Sequence, residues 1–320
     1  MPAAAIALVG ALVFGSADFL GGLSAKRLRS IVVTAVAAGS GLVLLVVLYP
    51  LLGGVWSLAD VGWGALTGIT GAIAIALLYA CLAIGPMSIL SPLTAIVSAI
   101  APMLWGLLVD GEQLSAIGYT GLGIALVAVI LVGFIPGEKV VRPAPRGLAM
   151  ALGAGLAIGA FMIILDQTSP GSGIVPLIVN RGANALITAS LVLMLLLLAR
   201  SRGTAPSRVL AVQGPMLGAT PTGHADLEHA VENPPAAPVV RVPASAWWLA
   251  IACGAVDAGA NAIMLVALRM GDLSIVSALT AMYPAGTILL AAVVLRERIA
   301  GLQWVGLGLA LAAGAMLAVS

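Results

Sequence analysis

Charge is what this chain has least of. Only 8% of its 320 residues are Asp, Glu, Lys or Arg, against roughly 25% in a soluble domain, while 62% are hydrophobic. So few charges could not keep that much apolar surface in water, which excludes a soluble globular fold. The net charge of +2 carries no nucleic-acid signal, because the few charges gather in loops. The two cysteines, Cys81 and Cys253, both stand in apolar runs and read as small buried residues rather than a disulfide or metal site. His224 and His229 lie in a polar stretch with poor surroundings for a metal. Walker A, zinc and nucleophile-elbow patterns are missing, so ATP-driven pumping and hydrolysis have no support. Neither catalysis nor a cofactor is expected.

What is present is apolar segment after apolar segment, with a mean hydropathy of +1.18. Candidate spans are 3–22, 31–53, 62–84, 87–109, 114–135, 147–166, 173–199, 246–268, 273–295 and 301–319. Each is long enough for a hydrocarbon core of roughly 30 Å. The expected fold is therefore an all-α, multi-pass membrane protein of ten transmembrane helices, placed in the cell membrane. Gly15-Ser16-Ala17 resembles a signal-peptide cleavage site, but no basic region precedes it and Lys26, Arg27 and Arg29 follow. The first segment thus reads as a retained helix.

The chain repeats itself. Gly85–Gly123 (GPMSILSPLTAIVSAIAPMLWGLLVDGEQLSAIGYTGLG) returns as Gly271–Gly308 (GDLSIVSALTAMYPAGTILLAAVVLRERIAGLQWVGLG). With Gly85 on Gly271, Ser88, Ile89, Ser91, Leu93, Thr94 and Ala95 fall on Ser274, Ile275, Ser277, Leu279, Thr280 and Ala281. After one dropped residue, Glu112 meets Glu297 and Gly121-Leu122-Gly123 meets Gly306-Leu307-Gly308. This points to duplication. The first repeat is 1–135, the proline-rich segment 136–146 is the linker, and the second repeat is 147–320. An insertion at 201–245, rich in Pro, Ala and Gly, lacks helical periodicity and is expected to be disordered. Five spans per half is an odd number, so the halves should be inverted relative to one another. That architecture places a solute site near the midplane.

In this ten-span arrangement Lys26, Arg27, Arg29, Lys139, Arg142, Arg146, Arg200, Arg202, Arg208, Arg241, Arg296 and Arg298 share one side of the membrane. Arg181 and Arg269 lie elsewhere. The positive-inside rule makes the shared side cytoplasmic and puts both termini outside.

Several landmarks carry a family resemblance: Asp257-x-x-x-Asn261, Ala267-Leu268-Arg269-x-Gly271-x-Leu273-Ser274, Tyr283-Pro284, Arg296-Glu297-Arg298, Gln303 and Gly306. With them go Phe14-Gly15-Ser16-Ala17-Asp18-Phe19 and the stretch from Tyr79 to Gly123. Together they resemble an EamA-type transporter of the drug/metabolite transporter superfamily over nearly the whole chain except 201–245. The resemblance implies ten helices in an inverted pair of five-helix repeats and movement of small metabolites. It also implies cytoplasmic termini, the reverse of the charge count. Glu112-Gln113 stands where that family has Glu-Arg.

Ionisable and polar groups inside spans are the site candidates, because charge in lipid is costly and tends to face a cavity or a partner. Asp257 lies mid-span with Asn261 on its helix face, and Asp18 lies in the second half of span one near Ser16. Asn180 and Arg181 lie in span seven, where Arg181 either binds solute or pairs with Asp166 across a short hairpin. Tyr79 and Tyr283 either face the cavity or pack. Arg269 is expected to snorkel to the interface. Glu112 and Glu297 read as turn residues that cap the helix that follows each. Pro92, Pro102 and Pro284 are expected to interrupt spans four and nine, and Gly64 with Gly68 to allow close helix contact.

These readings converge on a secondary transporter for a small organic metabolite or drug-like solute, working by alternating access, with proton-coupled efflux as one form. A channel or lipid scramblase on the same fold is the alternative. The expected partners are the solute and the bilayer, with a homodimer as an option and no nucleic acid.

Overall fold

The computed structural model describes residues 2–84, 87–133, 144–203, 207–211, 242–296 and 300–319. Its helices are α1 (Pro2–Ala25), α2 (Ser30–Leu52), α3 (Leu58–Ile84), α4 (Met87–Leu108), α5 (Ala116–Gly133) and α6 (Pro145–Asp166). There follow α7 (Val175–Ser201), α8 (Ala244–Leu268), α9 (Leu273–Thr280), α10 (Tyr283–Val294) and α11 (Gly301–Ala318). In hydrocarbon every backbone N–H and C=O must be satisfied within the chain, and a helix does so within one segment. Among the described residues nine segments are long and apolar enough to cross a membrane, with α9 and α10 together forming one of them. Leu93–Leu108, within α4, is a shorter apolar helix.

The helices are apolar around their whole circumference. Leu51, Leu58, Leu186, Leu311 and Val293 point outward and exposed, as lipid-facing residues do. The inward faces are small: Ala7, Ala99, Ala125, Ala128, Ala258, Ala267 and Ala313 are buried in the largest core cluster. Close contact of small residues replaces the hydrophobic drive that lipid does not supply. A methyl group on Gly68 would lie 2.7 Å from Ala183 Cβ and 2.9 Å from the Asn180 carbonyl of α7. One on Gly64 would lie 2.7 Å from the Pro176 carbonyl, so the expected close approach is realised between α3 and α7.

Span nine is broken and span four is not. Pro284 has no N–H to give the Thr280 carbonyl, and the chain stops being helical at Thr280 and resumes at Tyr283. By contrast α4 runs unbroken through positions 92 and 102, which corrects the expectation that both prolines interrupt it. Pro102 is accommodated against Gly159 of α6, where a Cβ would come within 2.9 Å of its Cδ.

The broadest packing is α1 on α8 and α3 on α6. Next come α5 on α11 and α4 on α6, then α2 on α8 with α3 on α7, and after these the pairs α2–α7, α1–α10 and α4–α9. The connections α2–α3, α4–α5, α6–α7 and α8–α9 meet at one end of the bundle. There Val55 N–H donates to the Gly171 carbonyl at 2.9 Å and Ile174 N–H to the Gly53 carbonyl at 3.2 Å. The buried Asp60 carboxylate accepts from the Ser57 hydroxyl at 2.5 Å and from the Ser169 N–H and hydroxyl at 2.8 Å each.

At the opposite end the Ser24 hydroxyl donates to the Ala246 carbonyl at 2.8 Å. Arg29 N–H donates to the Leu210 carbonyl at 3.0 Å, and Leu28 forms an isolated bridge with Ala211. Residues 207–211 of the insertion, with the helical turn Ser207–Leu210, are therefore seated on the α1–α2 connection with Val209 and Ala211 buried. Residues 204–206 and 212–241 of the insertion, most of the expected linker, and Glu297 with Arg298 lie outside the described residues.

Candidate functional site

The charged centre of the bundle is an ion pair between Arg181 of α7 and Asp257 of α8. Arg181 is buried and Asp257 half-buried. This corrects the alternative pairing of Arg181 with Asp166. Arg181 lies six residues inside α7, about 9 Å from its start at 1.5 Å per residue, which is deeper than the last residue of α6 reaches. Its stem crosses Gly41 of α2, where a Cβ would be 3.6 Å from Arg181 Cδ. The absence of a side chain there leaves room for the stem to cross towards α8.

Asp18 of α1 lies one turn after Gly15, which packs against the Tyr283 main chain at the head of α10, and α1 packs along α8, the helix of Asp257. Cys253, one turn before Asp257 on α8, has its sulfur 3.1 Å from where a Gly21 Cβ would be. Asp18 is exposed. No described residue gives the Asp18 carboxylate a hydrogen bond or an ion pair.

Of the expected site residues, Arg181 and Asp257 are joined directly, and Asn261 and Asn180 are engaged elsewhere. Asn261 is buried, but its amide donates to the main-chain carbonyl of Asp257 at 2.8 Å and not to the carboxylate. Asn180 faces α3 and donates to Thr67 Oγ1 at 3.1 Å, which donates in turn to the Gly64 carbonyl at 2.7 Å. Adjacent helix positions differ by about 100°, which is why Asn180 and its neighbour Arg181 serve different interfaces. Tyr79 lies on α3 with its side chain outside the described residues, as does that of Cys81.

Two further expectations are corrected at the tied end of the bundle. Arg269 does not snorkel outward. It turns in, donating to Gly173 O at 2.7 Å, Ser172 Oγ at 2.9 Å and Ser169 O at 3.4 Å. Burial pulls its guanidinium below the usual value, with the Asp60 charge acting the other way. Glu112 does not cap the helix that follows it. Its Oε1 accepts from Leu273 N–H at 2.6 Å and its Oε2 from Ser274 N–H at 3.1 Å, both in the first turn of α9. The sequence marked Glu112 as a capping residue but held no signal for which helix.

Comparison with known proteins places these features. The comparison with curated proteins gave no match. One solved crystal structure is similar over 100% of this chain and 99% of that one, with a TM-score of 0.69 and 15% sequence identity. The overall fold is therefore one already seen in a crystal, a likeness of fold alone. The family model for the EamA-like transporter family matches residues 234–319, which hold α8 to α11 with Asp257, Asn261 and Tyr283. Residues 234–319 are thereby an EamA-like transporter domain of the drug/metabolite transporter superfamily.

Proposed function

We propose that the chain is a secondary transporter of ten transmembrane helices in two inverted five-helix repeats, moving a small organic metabolite or drug-like solute by alternating access. One observation carries this reading. Exchange α1 with α6, α2 with α7, α3 with α8, α4 with the α9–α10 pair, and α5 with α11. The broadest packing contacts then map onto one another, though weaker ones such as α1–α11 and α5–α10 do not: α1–α8 becomes α3–α6, α4–α6 becomes α1–α10, α2–α8 becomes α3–α7, and α2–α7, α5–α11 and α4–α9 are unchanged. A pseudo-twofold relation between halves produces such a list, and an odd number of spans per half makes it an inverted one.

The site sits where this relation is least exact, since Asp18, Arg181 and Asp257 have no charged counterparts in the other half at matching helix depth. The end tied by Asp60, Arg269 and Glu112 is closed by polar contacts, which supports access to the site from the opposite end. The finer reading is proton-coupled efflux in the cell membrane, with Asp18 and Asp257 as the groups able to exchange a proton at mid-span depth. Purified protein in proteoliposomes should show saturable counterflow of its solute. Flux that never saturates and shows no counterflow would instead assign a channel or scramblase.

A further inference from the structure

The seam between α2 and α7 is tied by main-chain bonds at both of its ends. At one end Val55 N–H donates to the Gly171 carbonyl at 2.9 Å and Ile174 N–H to the Gly53 carbonyl at 3.2 Å, which joins the α2–α3 connection to the α6–α7 connection. At the other, Arg29 N–H donates to the Leu210 carbonyl at 3.0 Å and Leu28 forms an antiparallel bridge with Ala211, which joins the α1–α2 connection to the α7–α8 connection. Exchanging the halves turns the first pair of connections into the second. A side-chain tie stands beside each: Ser169 N–H donates to the Asp60 carboxylate at one end, and the Ser24 hydroxyl to the Ala246 carbonyl at the other.

What differs is the chain that supplies the tie. The α2–α3 connection runs only from 53 to 57, whereas the α7–α8 connection runs from 202 to 243. A main-chain carbonyl accepts whatever side chain it carries, so an insertion with no likeness to Gly53-Gly54-Val55 can offer the same bond. The entropy lost in closing a loop grows only slowly with its length, so a long insertion still delivers these residues. Burial holds them in place. Val209 and Ala211 are buried and Leu28 fully so. Leu210 and Val242, from either side of the insertion's middle, rest on one apolar cluster with Leu28, Val32 and Ala246.

We propose that residues 209–211 are a strap that does for this end what Gly53–Val55 does for the other. The seam between α2 and α7 is thereby held shut at both ends at once, and residues 212–241 are dispensable for holding it. This deepens the transporter reading in one respect, that solute enters and leaves away from this seam, and only that consequence rests on the reading.

The test uses the full chain in phosphatidylcholine nanodiscs, with amide hydrogen exchange read at single residues. The Arg29 and Val55 amides should both exchange at least about a hundredfold slower than in unfolded peptide, which limits the opening of either end to about 1% of the time. Val209→Asp with Ala211→Asp sets two carboxylates against an apolar cluster. It should release the Arg29 amide and leave Val55 protected. Replacing 213–240 by a Gly-Ser linker of about ten residues should leave both protected. Leu28→Cys with Ala211→Cys should join on oxidation, because facing residues of an antiparallel pair lie about 4.5–5.5 Å apart at Cα, a span a disulfide covers. Should the Asp pair not give monodisperse protein, Ala211→Asp alone takes its place. Fast exchange at Arg29 in the parent, parental protection of Arg29 in the Asp variant, loss of it in the linker variant, or cysteines that do not join would each overturn the proposal. No arm needs a solute, so the strap can fail while counterflow stands, and counterflow can fail while the strap stands.

Discussion

Glu112 and Leu273 stand 161 positions apart in sequence and are joined by a 2.6 Å hydrogen bond from the Leu273 N–H to the Glu112 carboxylate. The second carboxylate oxygen takes the Ser274 N–H at 3.1 Å. A side chain in the α4–α5 turn therefore satisfies two of the free N–H groups at the start of α9, and its negative charge meets the positive end of that helix. The carboxylate rests on Gly106, where any Cβ would come within 2.4 Å of Oε2.

Glu112→Ala should cost about 1–2 kcal/mol, the usual worth of a good cap, and should lower the melting temperature in detergent by a few degrees. Glu112→Gln keeps one acceptor oxygen and should fall between the two. A Glu112→Ala melt that coincides with the parent's would show that water replaces the carboxylate without loss.

Breaking the central ion pair from one side should be worse than removing it from both. Asp257→Asn leaves the Arg181 charge buried and unpaired, and such losses run to about 3–5 kcal/mol. The double variant Arg181→Gln with Asp257→Asn should recover part of that, measured as a positive coupling in a double-mutant cycle of melting temperatures. In proteoliposomes Asp257→Asn should also lose accumulation driven by a pH gradient while solute exchange stays measurable. Normal uphill transport in that variant would remove Asp257 from the coupling role.

Two glycines should respond in opposite ways. A Cβ on Gly15 would sit 2.3 Å from the Tyr283 carbonyl and 2.6 Å from Thr287 N, main-chain atoms that cannot step aside. Gly15→Ala should cost about 1–3 kcal/mol and push α1, with Asp18, away from α10. Nothing lies within 4 Å of a Cβ on Gly182, the neighbour of Arg181. Gly182→Ala should be neutral or stabilise by up to about 1 kcal/mol through helix propensity. Melting curves of the two variants, run side by side, check both.

Both termini should lie outside the cell and residues 201–245 inside, on the charge distribution of the loops. A reporter that is active only in the cytoplasm should be silent when fused after Ser320 and active when inserted at Gly223. Activity at Ser320 would return the orientation to the one the family resemblance implies.

The spans were legible because hydrocarbon imposes length and apolarity on each, whatever its neighbours are. Asp257 and Asp18 were legible for the same reason, as charges where charge is expensive. Their partners were not. A hairpin counted in residues put Arg181 near Asp166, while its depth in α7 and the packing of α7 and α8 around α2 give it Asp257 instead. Asn261 shares a face with Asp257, yet the carbonyl four residues back was nearer than the carboxylate, a local competition that spacing does not resolve. Arg269 was placed at the interface on its stem length, while the acceptors that draw it inward, Ser169 to Gly173, come from another connection. Pro284 ends a helix as its chemistry directs, while α4 runs on through Pro102, whose ring packs at Gly159.

On the proposed reading of alternating access between inverted halves, the break between Thr280 and Tyr283 has a consequence for the resting state. If the two halves were identical, exchanging their conformations would turn the molecule inside out at no cost, and inward-open and outward-open forms would be equally populated. Any preference between the forms must then arise where the halves differ. The continuous α4 facing the divided α9–α10 is one such difference, and Pro284, which has no N–H to offer the Thr280 carbonyl, is its chemical root. A residue that mended this break, or one that broke α4 to match, would act as a weight on a balance, shifting which side of the membrane an idle molecule faces without touching a single group that binds solute.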